Sequence, residues 1–290
     1  MQAASHLNPI NTINPIKPIV AVYVCCGVFR ALEYMLLRTD QSIFGEAFVH
    51  KLAGILLLAI AVRGFRLNLC DIGFTKGSAF QKTAYGLLLG AASFVAAYGA
   101  ELFILTKSGH APALQGYVAG YMPVGNRRLE TELMLLAFCI TGNIINVVME
   151  EGMFRGLFLR LAERWYAFAV AAALSSALFG LWHVAAPARS FLDGEITVAQ
   201  AAVTAALLVL TTGVTGVKFC LLTRLSGSLW MPMADHFFNN TIINTLHVAT
   251  ALGTDDLQVM RISIAQTLSF LCVLFLYWKT GARHKQTFRG

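Results

Sequence analysis

Three groups of polar residues lie inside apolar runs of this sequence, and together they could activate a water molecule. The groups are Glu150, Glu151 and Arg155 in MEEGMFRG, Phe179 and His183 in LFGLWH, and Asp235, His236, Asn239 and Asn240 in ADHFFNNT. Ionisable side chains are costly to bury in apolar segments, and they often mark functional sites there. Glutamate and histidine are also common proton-transfer groups in catalysis.

Helical spacing separates the roles within the first group. Glu151 and Arg155 are four residues apart, so on a helix they can form an ion pair on one face. Glu150 lies about 100° further around the helix and has no expected partner on its own helix. A carboxylate in that position is a candidate general base.

The third group predicts a polar helix face. His236 and Asn240 are four residues apart, and Asn244 and His247 extend the same stripe within a wedge of about 80°. Such a face should line a cavity or the interior of a bundle. We interpret Asp235 as a helix-start residue.

Composition indicates that these residues lie in an integral membrane protein. Hydrophobic residues make up 57% of the 290 residues, charged residues 13%, and the mean hydropathy is +0.65. A water-soluble domain carries about 25% charged residues, which excludes a soluble enzyme as well as a disordered chain or a collagen-like fibre. The net charge of +7 is spread between apolar runs. This spread is typical of membrane loops, and we expect no nucleic-acid partner.

The apolar runs predict an all-α, polytopic membrane bundle of about eight transmembrane helices. A span needs about 20 mostly apolar residues. The candidates are Ile19–Leu37, Ile43–Val62, Ala84–Leu105, Leu133–Leu161, Tyr166–Val184, Thr197–Leu222, Met233–Thr250 and Ile262–Trp278. In the first span, Arg30 and Glu33 are three residues apart, and we expect them to form an ion pair.

Charge counts predict the orientation. Thirteen lysines and arginines fall on one side of the eight-span layout and six on the other, which places both termini in the cytoplasm. We expect the membrane to be a bacterial plasma membrane. We expect a cytoplasmic tail at 1–18, a single transmembrane domain at 19–278 and a basic tail at 279–290. Five of the six cysteines lie in apolar runs and no CxxC occurs, so neither disulfides nor a structural zinc cluster are expected.

Spans four and five should bring two of the groups together. If they form a hairpin that turns near Arg164 and Trp165, Glu150 and His183 lie at similar depths, roughly 22–27 Å from the turn. His236 follows its own turn by only about ten residues. The segment Ser226–Pro232 should therefore be irregular and dip inward, which is tolerated where it lines a cavity.

The three groups resemble the motifs of the CPBP family, also called the Abi or type II CAAX prenyl endopeptidase family. EEGMFRG is similar to its EExxxR motif, FGLWH to FxxxH, and HFFNN to HxxxN. The residues that match are Glu150, Glu151, Arg155, Phe179, His183, His236 and Asn240. The resemblance covers about Leu133 to Ala249, the motif core at 133–249.

The resemblance implies an intramembrane endopeptidase. Its substrates would be membrane-associated peptides or proteins, such as prenylated CAAX C-termini, peptide leaders or sorting signals. Glu150, helped by His183, would take a proton from the attacking water, and His236 and Asn240 would donate hydrogen bonds to the developing oxyanion. Glu151 and Arg155 would orient the site, with Phe179 in a supporting position.

Three alternatives stay open. No cofactor is expected, but Glu150, His183 and His236 form a plausible ligand set for Zn²⁺ with an open position for water. The family resemblance also extends to non-proteolytic scaffold or immunity proteins, which would bind a partner helix in the polar cavity. A transporter would also have polar stripes, although no inverted repeat of broken helices occurs.

Overall fold

Long apolar helices dominate the computed structural model, which describes residues 14–42, 46–119, 129–251 and 253–281. The helices are α1 (Ile16–Leu32), α2 (Val49–Gly64), α3 (Ala79–Lys107), α4 (Leu129–Glu151), α5 (Leu159–Glu163), α6 (Phe168–Trp182), α7 (Ala185–Leu192), α8 (Val198–Ser226), α9 (Trp230–Thr245) and α10 (Gln258–Lys279). A π-helical turn, Gly152–Phe158, joins α4 to α5 in one continuous helix. Two short strands, β1 (Ala113–Gly116) and β2 (Leu246–Ala249), pair antiparallel. The predicted all-α class is confirmed.

Six of the described helices are long and apolar enough to cross a membrane. They are Ile16–Leu37, Ala79–Lys107, Leu133–Glu163, Phe168–Leu192, Val198–Ser226 and Gln258–Lys279. The helices at the second and seventh predicted spans, α2 and α9, have only 16 residues each. The bundle is confirmed, but the number eight is not.

Several predictions concern features that the structure leaves open. Residues 1–13 and 282–290 of the two predicted tails, and Ile43 at the start of the second predicted span, lie outside the described residues. The single domain at 19–278, the bacterial membrane and the cytoplasmic termini stay predictions. All six cysteines are free in the structure.

The predicted helical stripe on the seventh span is wrong beyond Thr245. There α9 ends, and Leu246–Ala249 forms β2, which pairs with β1 in the register Ala113 to Ala249. The extended backbone carries His247 away from the face that holds His236. The pattern of polar residues alone could not show this break, because the partner strand lies more than 100 residues earlier in the chain.

The turn between α8 and α9 is irregular, as predicted, and it is buried within the bundle. Gly227 adopts a left-handed conformation, with φ of 63°, and Ser228 and Leu229 are fully buried. The Leu229 amide donates a hydrogen bond to the carbonyl of Gly73, at 2.9 Å, so the connection between α2 and α3 packs against the turn. The irregular segment is shorter than predicted, because α9 already begins at Trp230 and Pro232 lies in its first turn.

Glycines let α9 and α8 approach their neighbours closely. A Cβ atom on Gly86 of α3 would overlap the carbonyl oxygen of Met231 in α9. A Cβ atom on Gly180 of α6 would lie 2.6 Å from the carbonyl oxygen of Val209 in α8. Small residues at such crossings are typical of membrane helix packing, and here each crossing joins one motif-bearing helix to a neighbour, α9 to α3 and α6 to α8.

Arg30 and Glu33 face different partners and do not form the predicted ion pair. A π-helical turn, Glu33–Leu37, ends the first helix. Glu33 accepts hydrogen bonds from the Val49 amide at 2.8 Å and from His50 Nδ1 at 2.5 Å. Arg30 instead points towards Glu150, with 3.9 Å between Nη1 and Oε1. The spacing of the two residues was compatible with a pair, but tertiary contacts decided otherwise.

Candidate active site

Glu151 joins the first and third motifs. Its Oε1 lies 2.9 Å from His236 Nδ1 and 3.3 Å from Arg155 Nη1. Glu151 and Arg155 are fully buried, and His236 is only 6% exposed. The predicted pair of Glu151 and Arg155 is therefore present. Since a carboxylate only accepts, it holds the proton of His236 on Nδ1 and leaves Nε2 towards Glu150.

Glu150 has four polar neighbours on three other helices and its own. Its Oε1 accepts a hydrogen bond from Trp182 Nε1 at 3.1 Å, and its Oε2 accepts one from Asn146 Nδ2 at 3.4 Å. His236 Nε2 lies 3.7 Å from Oε2, and Arg30 Nη1 lies 3.9 Å from Oε1. The expectation that Glu150 has no partner on its own helix is wrong, because Asn146 is four residues earlier.

Aromatic rings hold Arg155 and His236 in place. The guanidinium carbon of Arg155 lies 4.0 Å from the ring centroid of Phe179 and 5.1 Å from that of Phe219. Phe219 also stacks on His236, with 4.9 Å between centroids and 21° between planes. Cation–π contacts of this kind stabilise a desolvated guanidinium. Phe179 thus has the supporting position that the second motif predicted.

His183 lies at the end of α6 with one ring nitrogen engaged. Its Nδ1 is 2.8 Å from the carbonyl oxygen of Phe179. A carbonyl only accepts, so Nδ1 carries the proton and Nε2 of the neutral ring keeps a lone pair. No partner for Nε2 occurs in the described part of the chain, and His183 lines a cavity. This nitrogen is therefore accessible to a water or a substrate.

Two cavities flank the site. The larger, of about 570 Å³, lies between α6, α8, α9 and α10, and His183, His236 and Asn240 line it together with many apolar side chains. The smaller, of about 210 Å³, has mostly polar walls that include Asn146 and Asn240. Asn240 lines both. The polar α9 face therefore does line a cavity, as predicted.

The sequence analysis missed three residues at Glu150 and misread one near it. Trp182, Arg30 and Asn146 contact this carboxylate. The spacing of Asn146 and Glu150, four residues apart, could have revealed the last of these. Asp235 is not a helix-start residue, because α9 begins at Trp230, and it forms a buried ion pair with Lys218 at 2.6 Å.

The geometry gives the zinc alternative no specific support. Among the residues described, no group of three or more His, Cys, Asp and Glu side chains is arranged to hold a metal ion. His236 directs Nδ1 at Glu151 and His183 directs Nδ1 at a backbone carbonyl, contacts that metal-ligating histidines also make with their second nitrogen. Zinc binding by Glu150, His183 and His236 therefore stays a prediction.

Comparison with known protein families gives a match, which covers the core of the chain. No curated protein and no solved structure matches the sequence. The match extends over one continuous segment that holds most of α4, all of α5 to α8 and most of α9. Residues 132–242 match the model of the Rce1-like family, type II CAAX prenyl endopeptidases, and this match confirms the resemblance.

Proposed function

We propose that this protein is an intramembrane endopeptidase that cleaves membrane-associated substrates with CAAX-type C-termini. The observation that carries the proposal is the buried array of Glu150, His236, Glu151 and Arg155 beside an apolar cavity. The match of residues 132–242 to a prenyl endopeptidase family supports the same activity. Leaders and sorting signals on other membrane-anchored peptides are further candidate substrates.

Glu150 is the proposed general base. Its contacts with Trp182 and Asn146 fix the carboxylate, and each oxygen keeps a lone pair for a water molecule. His183 Nε2 would assist the proton transfer, as the family resemblance implies. The small cavity lined by Asn146 has polar walls and room for several waters, so it is a suitable route for the attacking water.

His236 and Asn240 are the proposed stabilisers of the oxyanion. Nδ1 of His236 is engaged by Glu151, so the donor to the oxyanion would be Nε2 of the doubly protonated ring, which lies 3.7 Å from Glu150 Oε2. Asn240 can supply an amide N–H from the wall shared by both cavities. Glu151 and Arg155 position the imidazole. A donor of this kind contributes about 10²–10³ in rate.

The larger cavity suits an apolar, membrane-embedded substrate. Leu210 of α8 and Leu271 of α10 both line it, and they are 66% and 54% exposed on the outer surface of the bundle. The cavity therefore reaches the surface between α8 and α10, where apolar side chains face lipid. A lipid-anchored peptide could enter from the bilayer and place its polar backbone at Glu150.

The test compares purified wild type with Glu150→Gln on membrane-anchored peptides, prenylated and unprenylated. We expect cleavage by the wild type and a loss of about 10²–10⁴-fold in the cleavage rate of Glu150→Gln, the range for removal of a general base. Glu195→Gln, which changes an exposed carboxylate after α7, is the matched control and should cleave normally. Thermal melts of all three proteins report whether the fold is intact.

Other outcomes would contradict parts of the proposal. Equal cleavage by wild type and Glu150→Gln would remove Glu150 from the mechanism. Absence of cleavage by the folded wild type over the whole panel would favour the scaffold alternative, and capture of a bound partner helix would then follow. Loss of activity on exhaustive chelation, with recovery on addition of zinc, would contradict the metal-independent mechanism.

A further inference from the structure

A chain of hydrogen bonds connects a buried ion pair to Asn240. Lys218 Nζ donates to Gln266 Oε1 at 2.8 Å, and Gln266 Nε2 donates to Asn239 Oδ1 at 2.7 Å. Asn239 Nδ2 then donates to Asn240 Oδ1 at 3.0 Å. Asp235 balances the charge of Lys218 at 2.6 Å. The chain crosses from α8 to α10 to α9 and ends at a proposed oxyanion donor.

The ammonium group determines the direction of every bond in this chain. Lys218 can only donate, so Gln266 must present its oxygen to Lys218 and its NH₂ to Asn239. Asn239 must then present its oxygen to Gln266 and its NH₂ to Asn240. Reversal of any single amide would place two oxygens or two N–H groups against each other in a poorly solvated site, which is costly.

The hydrogen-bond chain ends at Asn240, whose side-chain NH₂ group takes no part in it. Asn240 accepts through Oδ1, so its Nδ2 group must point elsewhere. No partner for Asn240 Nδ2 is present within the described ranges, and Asn240 lines both cavities. An amide nitrogen with two unused N–H groups at a cavity wall can donate to a developing negative charge.

We propose that Lys218, Gln266 and Asn239 are positioning residues that hold the Asn240 amide with its N–H donors towards the scissile carbonyl. This inference rests on the proposed peptidase function and adds three residues to it. Without the chain, the two faces of the Asn240 amide would be nearly equivalent, and an oxygen facing the oxyanion would repel it.

Burial of the ion pair supports a role beyond packing. Lys218 and Asp235 are 1% and 2% exposed. Buried ion pairs contribute little net stability compared with apolar residues of the same volume. Lys218 also bonds to Ser269 Oγ at 3.2 Å, but Ser269 does not continue towards Asn240. Ser269 therefore offers a matched position that contacts the same ammonium group outside the chain.

The test reverses the chain by a single substitution. In Asn239→Asp, one carboxylate oxygen accepts from Gln266 and the other faces Asn240, which must turn its NH₂ inward and its oxygen towards the cavity. We expect kcat to fall about 10²–10³-fold, as for loss of an oxyanion donor, with KM nearly unchanged. Ser269→Ala should keep the wild-type kcat and KM.

A pH profile separates orientation from a structural role. When the introduced carboxyl takes up a proton, it can donate its O–H to Asn240 Oδ1 and still accept from Gln266, which restores the native direction. The kcat of Asn239→Asp relative to wild type should therefore rise as the pH falls. A ratio that does not change with pH would contradict the proposal.

A second variant covers the case in which Asn239→Asp does not fold. Gln266→Glu accepts from Lys218 with one oxygen and forces Asn239, and then Asn240, to reverse. It should give the same loss of kcat. Wild-type kcat in either folded variant would overturn the proposed chain, even if Glu150→Gln is inactive. Absence of cleavage by the wild type would instead overturn the peptidase function, and the proposed chain with it.

Discussion

Two clusters of carboxylates, arginine and histidine occur in this molecule, and they differ in how many of their hydrogen-bonding groups have partners. The site contains the carboxylate Glu151 between Arg155 and His236. A second cluster, which we call the distal cluster, contains Glu101, Asp255, Arg261, His247 and Tyr117. In it Arg261 bonds to Glu101 at 2.7 Å and to Asp255 at 2.8 Å.

The histidines show the difference. Both ring nitrogens of His247 are engaged, Nδ1 with Asp255 at 2.5 Å and Nε2 with the Tyr117 carbonyl at 3.1 Å. Tyr117 also stacks on the ring at 4.0 Å. His183 keeps Nε2 unpaired among the residues described, and it faces a cavity beside His236. Buried charge alone therefore does not identify a catalytic site. An unpaired ring nitrogen on a residue that lines a cavity distinguishes the proposed active site from the distal cluster.

The largest expected effect on kcat comes from alanine at His236 in the proposed active site, with alanine at His247 in the distal cluster as the comparison. His236→Ala should lower kcat by about 10²–10³, the range for loss of an oxyanion donor. His247→Ala should keep kcat but lower the melting temperature, because it removes the hydrogen bond of His247 to Asp255 Oδ2, a loss of about 1–3 kcal/mol. Peptide cleavage and thermal melts measure both. Loss of kcat in His247→Ala would erase the distinction between the clusters.

A large effect on stability is expected from Arg261→Met. The change leaves the buried carboxylate of Glu101 uncompensated, which typically costs about 3–5 kcal/mol, without a change in kcat of the folded fraction. The double variant with Glu101→Gln removes that charge and should recover part of the loss. Arg155→Met at the site should lower both stability and kcat. Denaturation in detergent and initial rates check this contrast, and full stability of Arg261→Met would contradict it.

The smallest expected effect is the acid sensitivity of the distal cluster. Burial raises the pKa of Asp255, but hydrogen bonds from His247, Arg261 and the Val248 amide outweigh burial and hold the pKa below its usual value. The stabilisation from this carboxylate is therefore complete above its unfolded pKa of about 3.9 and is lost as the pH falls through the lower folded value. The difference in melting temperature between wild type and Asp255→Asn should therefore become smaller as the pH falls through that acid range. A difference in melting temperature between the two proteins that stays constant with pH would rule out this contribution from Asp255.

Much of the site followed from local spacing. Glu151 and Arg155 pair because residues four apart share a helix face, and His236 and Asn240 line one cavity for the same reason. The hairpin of α5 and α6 also brought Glu150 beside the end of α6, where Trp182 precedes the predicted His183. These features depend on residues close in sequence, where helical geometry alone fixes relative position.

Contacts between distant segments did not follow from spacing. Arg30 had a plausible partner three residues away, yet it reaches Glu150, 120 residues later. Lys218 lay in an apolar run without an evident partner, and its bonds to Asp235 and Gln266 depend on how α8, α9 and α10 cross. Helix periodicity gives the face of a side chain but not the helix that the face meets.

The sequence by itself determined the membrane class, the helical bundle and the set of motif residues, because composition and periodicity are local properties of the chain. The tertiary structure alone decided that α9 stops at Thr245, that Trp182 and Arg30 contact Glu150, and that Asn240 is joined to Lys218. Those outcomes depend on the packing of helices far apart in sequence. Close crossings at Gly86 and Gly180 set that packing, since any larger residue would meet a backbone carbonyl there.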